Sequence, residues 1–390
     1  MTVLSNAKVV FPDKIREGCV LIKEGKIAGI FQRFDAPDKS TTVDCKGLYL
    51  SPGFIDIHVH GGGGFSAMSD DYKDIIAMCE AHLKFGTTSI LPTTLAAPME
   101  KIKKAVLSIK KASEVSKRAN ILGVHLEGPY LSKEFKGAQS ENDILSPLKN
   151  DPDELLELWD GIRIVGAAPE IDGGLQLGNR IVSHGAVASI AHSGASYEIV
   201  EEALKYGYSD VTHIYSACSS CFKVNLFRVG GVVEAGLSID GLTTQAIADL
   251  RHLPAGILKL IYKCKGAEKM ILITDGLEFA ATNMQEGALF KQENGLSVVY
   301  EDGVMKLADR SSLAGSVATS SKLVRNMYKS ADVPLYDAVR MASYTPAKRI
   351  GFGNKKGKIQ IGYDADLVLF NDEINIKAVM TDGEFRRNEV

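Results

Sequence analysis

Eight short apolar, β-branched segments recur through the middle of the chain, and amphipathic stretches separate many of them. They are GFIDIHVH (53–60), TTSILPTT (87–94), ILGVHLEG (121–128), IRIVGAAPE (162–170), AVASIAHS (186–193), DVTHIYSA (210–217), TTQAIAD (243–249) and MILITDG (270–276). Between the first two, Ile75, Ile76, Cys79 and Leu83 fall at helical spacing. Strand, helix, strand repeated in this way requires crossover connections and hence a parallel sheet. About eight repeats favour a closed (β/α)8 TIM-like barrel over an open sheet.

The two ends of the chain read differently. AKVVF, CVLIKEGKIAGI and TTVDCKGLYL at the start are strand-like, and so is GKIQIGYDADLVLFNDEINIKAVMTDGEF at the end. Neither piece is large enough to bury a core alone. The expectation is one small β-sandwich domain made from both termini, residues 1–52 and 356–390, around a barrel of residues 53–355.

A net charge of -3 over 390 residues supplies no basic field for nucleic acid. The first residues, MTVLSNAKVVFPDKIREG, lack the order of a secretory signal, and no apolar run is long enough to span a bilayer. A cytoplasmic protein is expected. Six cysteines do not form a disulfide framework in a chain of this size. Cys218 and Cys221 stand in C-x-x-C spacing without a second pair, and read as two small loop residues.

Chemically capable side chains gather at the C-terminal ends of the strand segments, where a barrel of this kind builds its active site. His58 and His60 are two apart on one strand and project to the same side. Glu127 ends the third segment, His192 lies at the end of the fifth, His213 of the sixth and Asp275 of the eighth. Four imidazoles and two carboxylates converging from five strands suit one or two divalent ions of zinc or iron type, with Glu127 placed to bridge a pair. A lone H-x-H carries little weight, but unrelated histidines would scatter over helices and loops. Of the rest, His82 reads as a structural residue inside a helix and His184 as a surface residue. His125 faces the same way as Glu127, as a partner of a ligand or as a core histidine. His252 follows the seventh segment at the catalytic end. The run Gly61 to Gly64 lacks the G-K-[ST] ending of a phosphate loop and reads as a close-approach loop beside the metal.

PGFIDIHVHGGGG, GTTSILPTT, HLEGPYLS, KGAQ, AHSGA, THIYSA, ITDG, LAGS and TPAKRIGFGNKKGKIQIGYDADLVLF stand in the order seen in N-acetylglucosamine-6-phosphate deacetylases of the amidohydrolase superfamily. The resemblance covers the chain from about residue 47 to its end, and HLEGP is its most specific piece. It implies that Glu127, His192 and His213 hold the principal metal, that His58 and His60 permit a second, and that Asp275 is the catalytic aspartate. It implies an amino sugar phosphate substrate, from which water removes the N-acetyl group. Asp275 would take a proton from the attacking water and return it to the leaving amine. Arg228 and His252 match substrate-binding positions, and in some members the equivalent of His252 comes from a neighbouring subunit, which implies a homodimer.

Two departures bear on the substrate. The family usually has Asn-Ala where this chain has Ser216-Ala217, and a histidine where it has Gln139. The segment CSSCFKVNLFRVGG also differs from the usual histidine-rich loop. These residues raise a shifted substrate, N-acetylgalactosamine 6-phosphate or another N-acyl compound, as the alternative. A non-catalytic scaffold is disfavoured because all six ligand and catalytic positions are filled.

Overall fold

A computed structural model describes residues 1–32, 40–292 and 295–390. The eight segments form eight parallel strands: β1 Phe54–Val59, β2 Thr87–Thr94, β3 Val124–Glu127, β4 Ile162–Ala167, β5 Val187–Ile190, β6 Tyr208–Val211, β7 Thr243–Ile247 and β8 Met270–Ile273. They are hydrogen-bonded in sequence order from β1 to β8, with the two-residue strand Asn120–Ile121 paired to β2 just ahead of β3. The ring closes where β8 returns to β1. Asp275 N donates to the His58 carbonyl (3.0 Å) and His60 N to the Gly276 carbonyl (2.8 Å). Just below, the buried Asp56 carboxylate accepts the Thr274 hydroxyl (2.5 Å) and the His58 N–H (3.2 Å).

Alternation along the strands divides two cores. Ile55, Ile57, Leu91, Ile164, Ile247, Ile271 and Ile273 form one cluster, which reaches Ala347 and Ile350 on and beside the last helix, Tyr344–Arg349. Val124, Leu126, Val165, Ala188, Ala246 and Leu272 belong to a second, larger cluster with the surrounding helices. The helix Tyr72–Leu83 packs Ile75, Cys79 and Leu83 into that shell, as the sequence spacing predicts.

Both termini enter one eight-stranded sheet, so the small domain is built from the two ends of the chain. Leu367–Phe370 lies antiparallel to Tyr49–Pro52, and the first strand, Thr2–Val10, pairs with Ile15–Lys23, Thr41–Asp44 and Tyr49–Pro52. Its own core includes Leu4, Val9, Val20, Leu50, Leu367, Leu369 and Met380.

Two excursions were not foreseen from the sequence. Phe222–Val224 and Phe227–Val229 form a hairpin after β6. After β8 the chain makes a three-stranded meander, Leu289–Lys291, Ser297–Glu301 and Val304–Leu307, before the next helix. Its alternation resembles that of the terminal strands, and nothing local announces a detour.

Phe370 stitches the two domains together. It is wholly buried, stacks on Tyr49 (centroids 5.6 Å apart) and meets Phe54 of β1 at 6.5 Å. Phe370→Ala is expected to cost about 3–5 kcal/mol through lost burial and the cavity left behind. Calorimetry should show this as a lowered unfolding midpoint, and an unchanged midpoint would contradict the seam.

Candidate metal and catalytic site

Glu127, the last residue of β3, is the centre of the arrangement and is buried. Its Oε1 lies 2.8 Å from His213 Nε2, 3.2 Å from His192 Nε2 and 3.4 Å from His58 Nε2. Its Oε2 lies 3.3 Å from His60 Nε2. Asp275 Oδ1 approaches His60 Nε2 at 3.2 Å and His58 Nε2 at 3.5 Å. Two overlapping donor groups result, His58–Glu127–His213 and His58–His60–Asp275, each with its ligand atoms within 4.8 Å of one another. His192 borders the first through Glu127.

The far side of each ring decides what the near side offers. His60 Nδ1 donates to the Thr93 carbonyl (3.1 Å) and His192 Nδ1 to the Phe135 carbonyl (2.9 Å). His58 Nδ1 donates to Gln245 Oε1 (3.3 Å), and the amide is held that way round because Gln245 Nε2 donates to Asp210 (2.6 Å). A neutral imidazole that donates through Nδ1 presents a lone pair at Nε2. His58 and His60 therefore aim two lone pairs at each other across 3.2 Å, and His192 aims one at a carboxylate oxygen. Such a set repels itself unless positive charge sits among it. Divalent positive charge among these atoms relieves that repulsion, and the all-N,O donor set fits a divalent metal ion.

The ionisation of the groups tells the same story. Burial pushes the Glu127 carboxyl up, but the His58, His192 and His213 imidazoles outweigh it and hold the group well below the usual range. Burial likewise opposes ionisation of Asp275, yet His60 and His58 bring it down to about 2. Burial disfavours a charged His60, but Asp275 and Glu127 carry it up to about 10.

Backbone strain concentrates here. His192, His213, Tyr215, Ala217 and Asp275 all have positive φ, between 27° and 73°. Such conformations cost non-glycine residues of order 1–3 kcal/mol each and persist where the surroundings over-determine them. Each of these residues lies just past the end of a barrel strand, where the chain turns over the cavity.

The cavity beside the cluster has a volume of about 280 Å³. His60, Glu127, His192, His213 and Asp275 line one side, and Gln139, Ser216, Ala217 and His252 approach it as well. His252 is held by Asp249, whose carboxylate accepts Nδ1–H at 2.8 Å. It lines the cavity of its own chain. Gln139 is turned toward Glu127, donating Nε2–H to Oε2 at 2.6 Å. Arg228 is not brought in: it stands on the exposed hairpin, with Cys221 Sγ at 3.8 Å.

Among the other histidines, His82 is buried and reaches the Gly61 carbonyl (2.8 Å), and His184 is exposed. His125 is fully buried, donates to the Ile57 carbonyl (3.0 Å) and packs edge-on to His58. The run Gly61 to Gly64 is no anion cradle. The N–H groups of Gly61, Gly63 and Gly64 donate to the carbonyls of Gly276, Ala280 and Glu278. A Cβ on Gly61 would lie 2.4 Å from Glu278 N, which is why glycine stands there.

Sequence reasoning missed Gln245 and Asp210, which orient His58 from β7 and β6. The signal was present: a glutamine within the strand segment TTQAIAD, if buried, needs polar partners. It also missed the far wall of the cavity, where Gln292 and Ser312 to Gly315 come from the meander and the loop after it.

A sequence model of the amidohydrolase family matches residues 49–386. The N-acetylglucosamine-6-phosphate deacetylase of Lysinibacillus sphaericus is 32% identical over 94% of this chain and 92% of its own. That of Bacillus subtilis is also 32% identical, over 93% and 91%. The crystal structure of the enzyme of the same name from Pasteurella multocida superposes with a TM-score of 0.91 at 31% identity, covering 99% of this chain and all of that one. The chain belongs to the amidohydrolase family, among the N-acetylglucosamine-6-phosphate deacetylases.

Proposed function

We propose that this enzyme hydrolyses the N-acetyl group of N-acetylglucosamine 6-phosphate, giving glucosamine 6-phosphate and acetate. The observation that carries the reading is the convergence of imidazole lone pairs on two buried carboxylates at the rim of a barrel cavity. Glu127, His192 and His213 would hold one ion, and His58 and His60, beside Asp275, would permit a second, zinc or iron in either place. A divalent ion there supplies a water acidified toward neutrality and a Lewis acid for the amide carbonyl.

The remaining work falls to the protein's own groups. Asp275, kept ionised by its imidazole neighbours, accepts the proton of the attacking water. It then delivers that proton to the sugar nitrogen, so the C–N bond breaks with a neutral amine leaving. His252, fixed through Nδ1 by Asp249, offers its other ring nitrogen to the substrate, beside Ser216 and Ala217. The strained backbone at Asp275, His192 and His213 keeps these groups in place before substrate arrives.

A second copy of the chain completes the assembly in this reading. The hairpin after β6 exposes Phe222, Val224, Leu226 and Phe227, with Leu226 at 90% and Phe227 at 77%, and it carries Arg228 away from its own cavity. An apolar cluster of this kind on one short excursion marks a contact surface. No described helix is long and apolar enough to cross a membrane, and the six free thiols suit the cytoplasm.

One observation favours a shifted substrate as the second reading. Gln139 spends its donor on Glu127, Ser216 is shorter than the asparagine usual in the family, and Arg228 is remote. The sugar therefore meets a different set of polar groups.

Four outcomes are expected. Chelation should abolish turnover, with zinc or ferrous iron restoring it and elemental analysis finding one to two ions per chain. Asp275→Asn should keep its metal while kcat falls about 10²–10⁴-fold; a metal-free wild type or an active Asp275→Asn would end the mechanism. On substrate, N-acetylglucosamine 6-phosphate should turn over faster than N-acetylgalactosamine 6-phosphate, and the reverse order would establish the shift. Light scattering should report a dimer that Phe227→Asp dissociates; a monomeric wild type would refute that interface.

A further inference from the structure

Gln139 departs furthest from what the resemblance implies. That resemblance marks it as a substrate contact, at a position usually held by histidine. In the structure it is 4% exposed, and both ends of its amide are engaged within the protein. Its Oε1 accepts the backbone N–H of Ala96 at 3.0 Å, while Nε2 donates to Glu127 Oε2 at 2.6 Å. The orientation of the amide is not arbitrary. Ala96 N–H is a donor and can only meet the oxygen, so the NH2 group must face the carboxylate. Ala96 follows β2 and Glu127 ends β3, so one side chain ties two neighbouring strand ends to the central carboxylate.

The consequence concerns which oxygen of Glu127 points where. A carboxylate rotates freely about its last bond, a broad and two-fold torsion. A short charge-assisted hydrogen bond to one oxygen removes that freedom. With Oε2 held by Gln139, it is Oε1 that faces His58, His192 and His213 at 2.8–3.4 Å. We infer that Gln139 is a positioning residue: it locks the Glu127 carboxylate and so sets the affinity of the site for its ion. An amide carries no charge at any working pH, so the lock does not open as pH changes.

The inference rests on the metal-dependent reading above, and the test separates the two. Gln139→Met keeps the length of the side chain and removes both the donor to Glu127 and the acceptor of the Ala96 N–H. Ion-free protein is titrated with zinc in competition with a chromophoric chelator, and kcat and KM on N-acetylglucosamine 6-phosphate are then measured at saturating zinc. Outer partners of metal ligands typically change affinity 10–100-fold. The variant should therefore bind zinc about 10- to 100-fold more weakly than wild type, with KM unchanged once zinc is saturating. Zinc affinity equal to wild type, whether KM rises as for a substrate contact or stays put, overturns the inference. Circular dichroism checks the fold, and Gln139→Leu carries the same reading should the methionine variant not fold. A wild-type protein that binds no divalent ion overturns the function and the lock together; a wild type that binds it beside an indifferent variant sinks the lock alone.

Discussion

The structure turns on one buried negative charge. Glu127 is 2% exposed at the mouth of the barrel, where an unpaired carboxylate would be costly to desolvate. Everything around it answers that cost. Imidazoles arrive from β1 and from the ends of β5 and β6, an amide from the loop after β3, and a second carboxylate from beyond β8. Two acids and four imidazole rings in so small a volume leave a net demand for positive charge. That demand is what makes the cluster fit a divalent cation.

Much of this was legible because barrel strands put position and role in register. Period-two alternation places His125 and Glu127 on the inward face of β3, with Val124 and Leu126 on the outward face, and the chemistry of each strand end could be read directly. What alternation cannot give is which donors meet across the barrel. Gln139 was legible as a polar residue near the site, but its commitment to Glu127 depends on the Ala96 N–H, which no sequence pattern reveals. Arg228 matched a family position, yet the hairpin that carries it turns outward. The meander at 289–307 was invisible for a different reason: its strands carry the same alternation as the terminal sheet, and only tertiary context says that they wall a cavity.

The cluster is also held from below. Gln245 and Asp210 fix the His58 tautomer, and Asp210 in turn accepts hydrogen bonds from Ser189 (2.8 Å) and Thr243. A chain of buried polar groups thus crosses β5, β6 and β7 before it reaches a ring on β1. Half-satisfied, such a network would be destabilising; satisfied, it specifies one arrangement. It explains why a polar residue such as Asp210 is tolerated with no exposure at all.

The terminal domain takes part in the same constraint. The strand Tyr49–Pro52 belongs to the terminal sheet, and after a single residue, Gly53, the chain becomes β1. Gly53 sits so close to β2 that a Cβ would fall 2.1 Å from the Thr88 hydroxyl. Gly53 N also donates to the Asp366 carbonyl, in the segment that leads into the C-terminal strand. The starting point of β1 is therefore fixed from both ends of the chain, and with it the register that sets His58 and His60 at the level of Glu127. A shift of one residue would turn both rings away from the cavity. The small domain, remote from the chemistry, thus helps the β8 seam hold His58 and His60 at the level of Glu127.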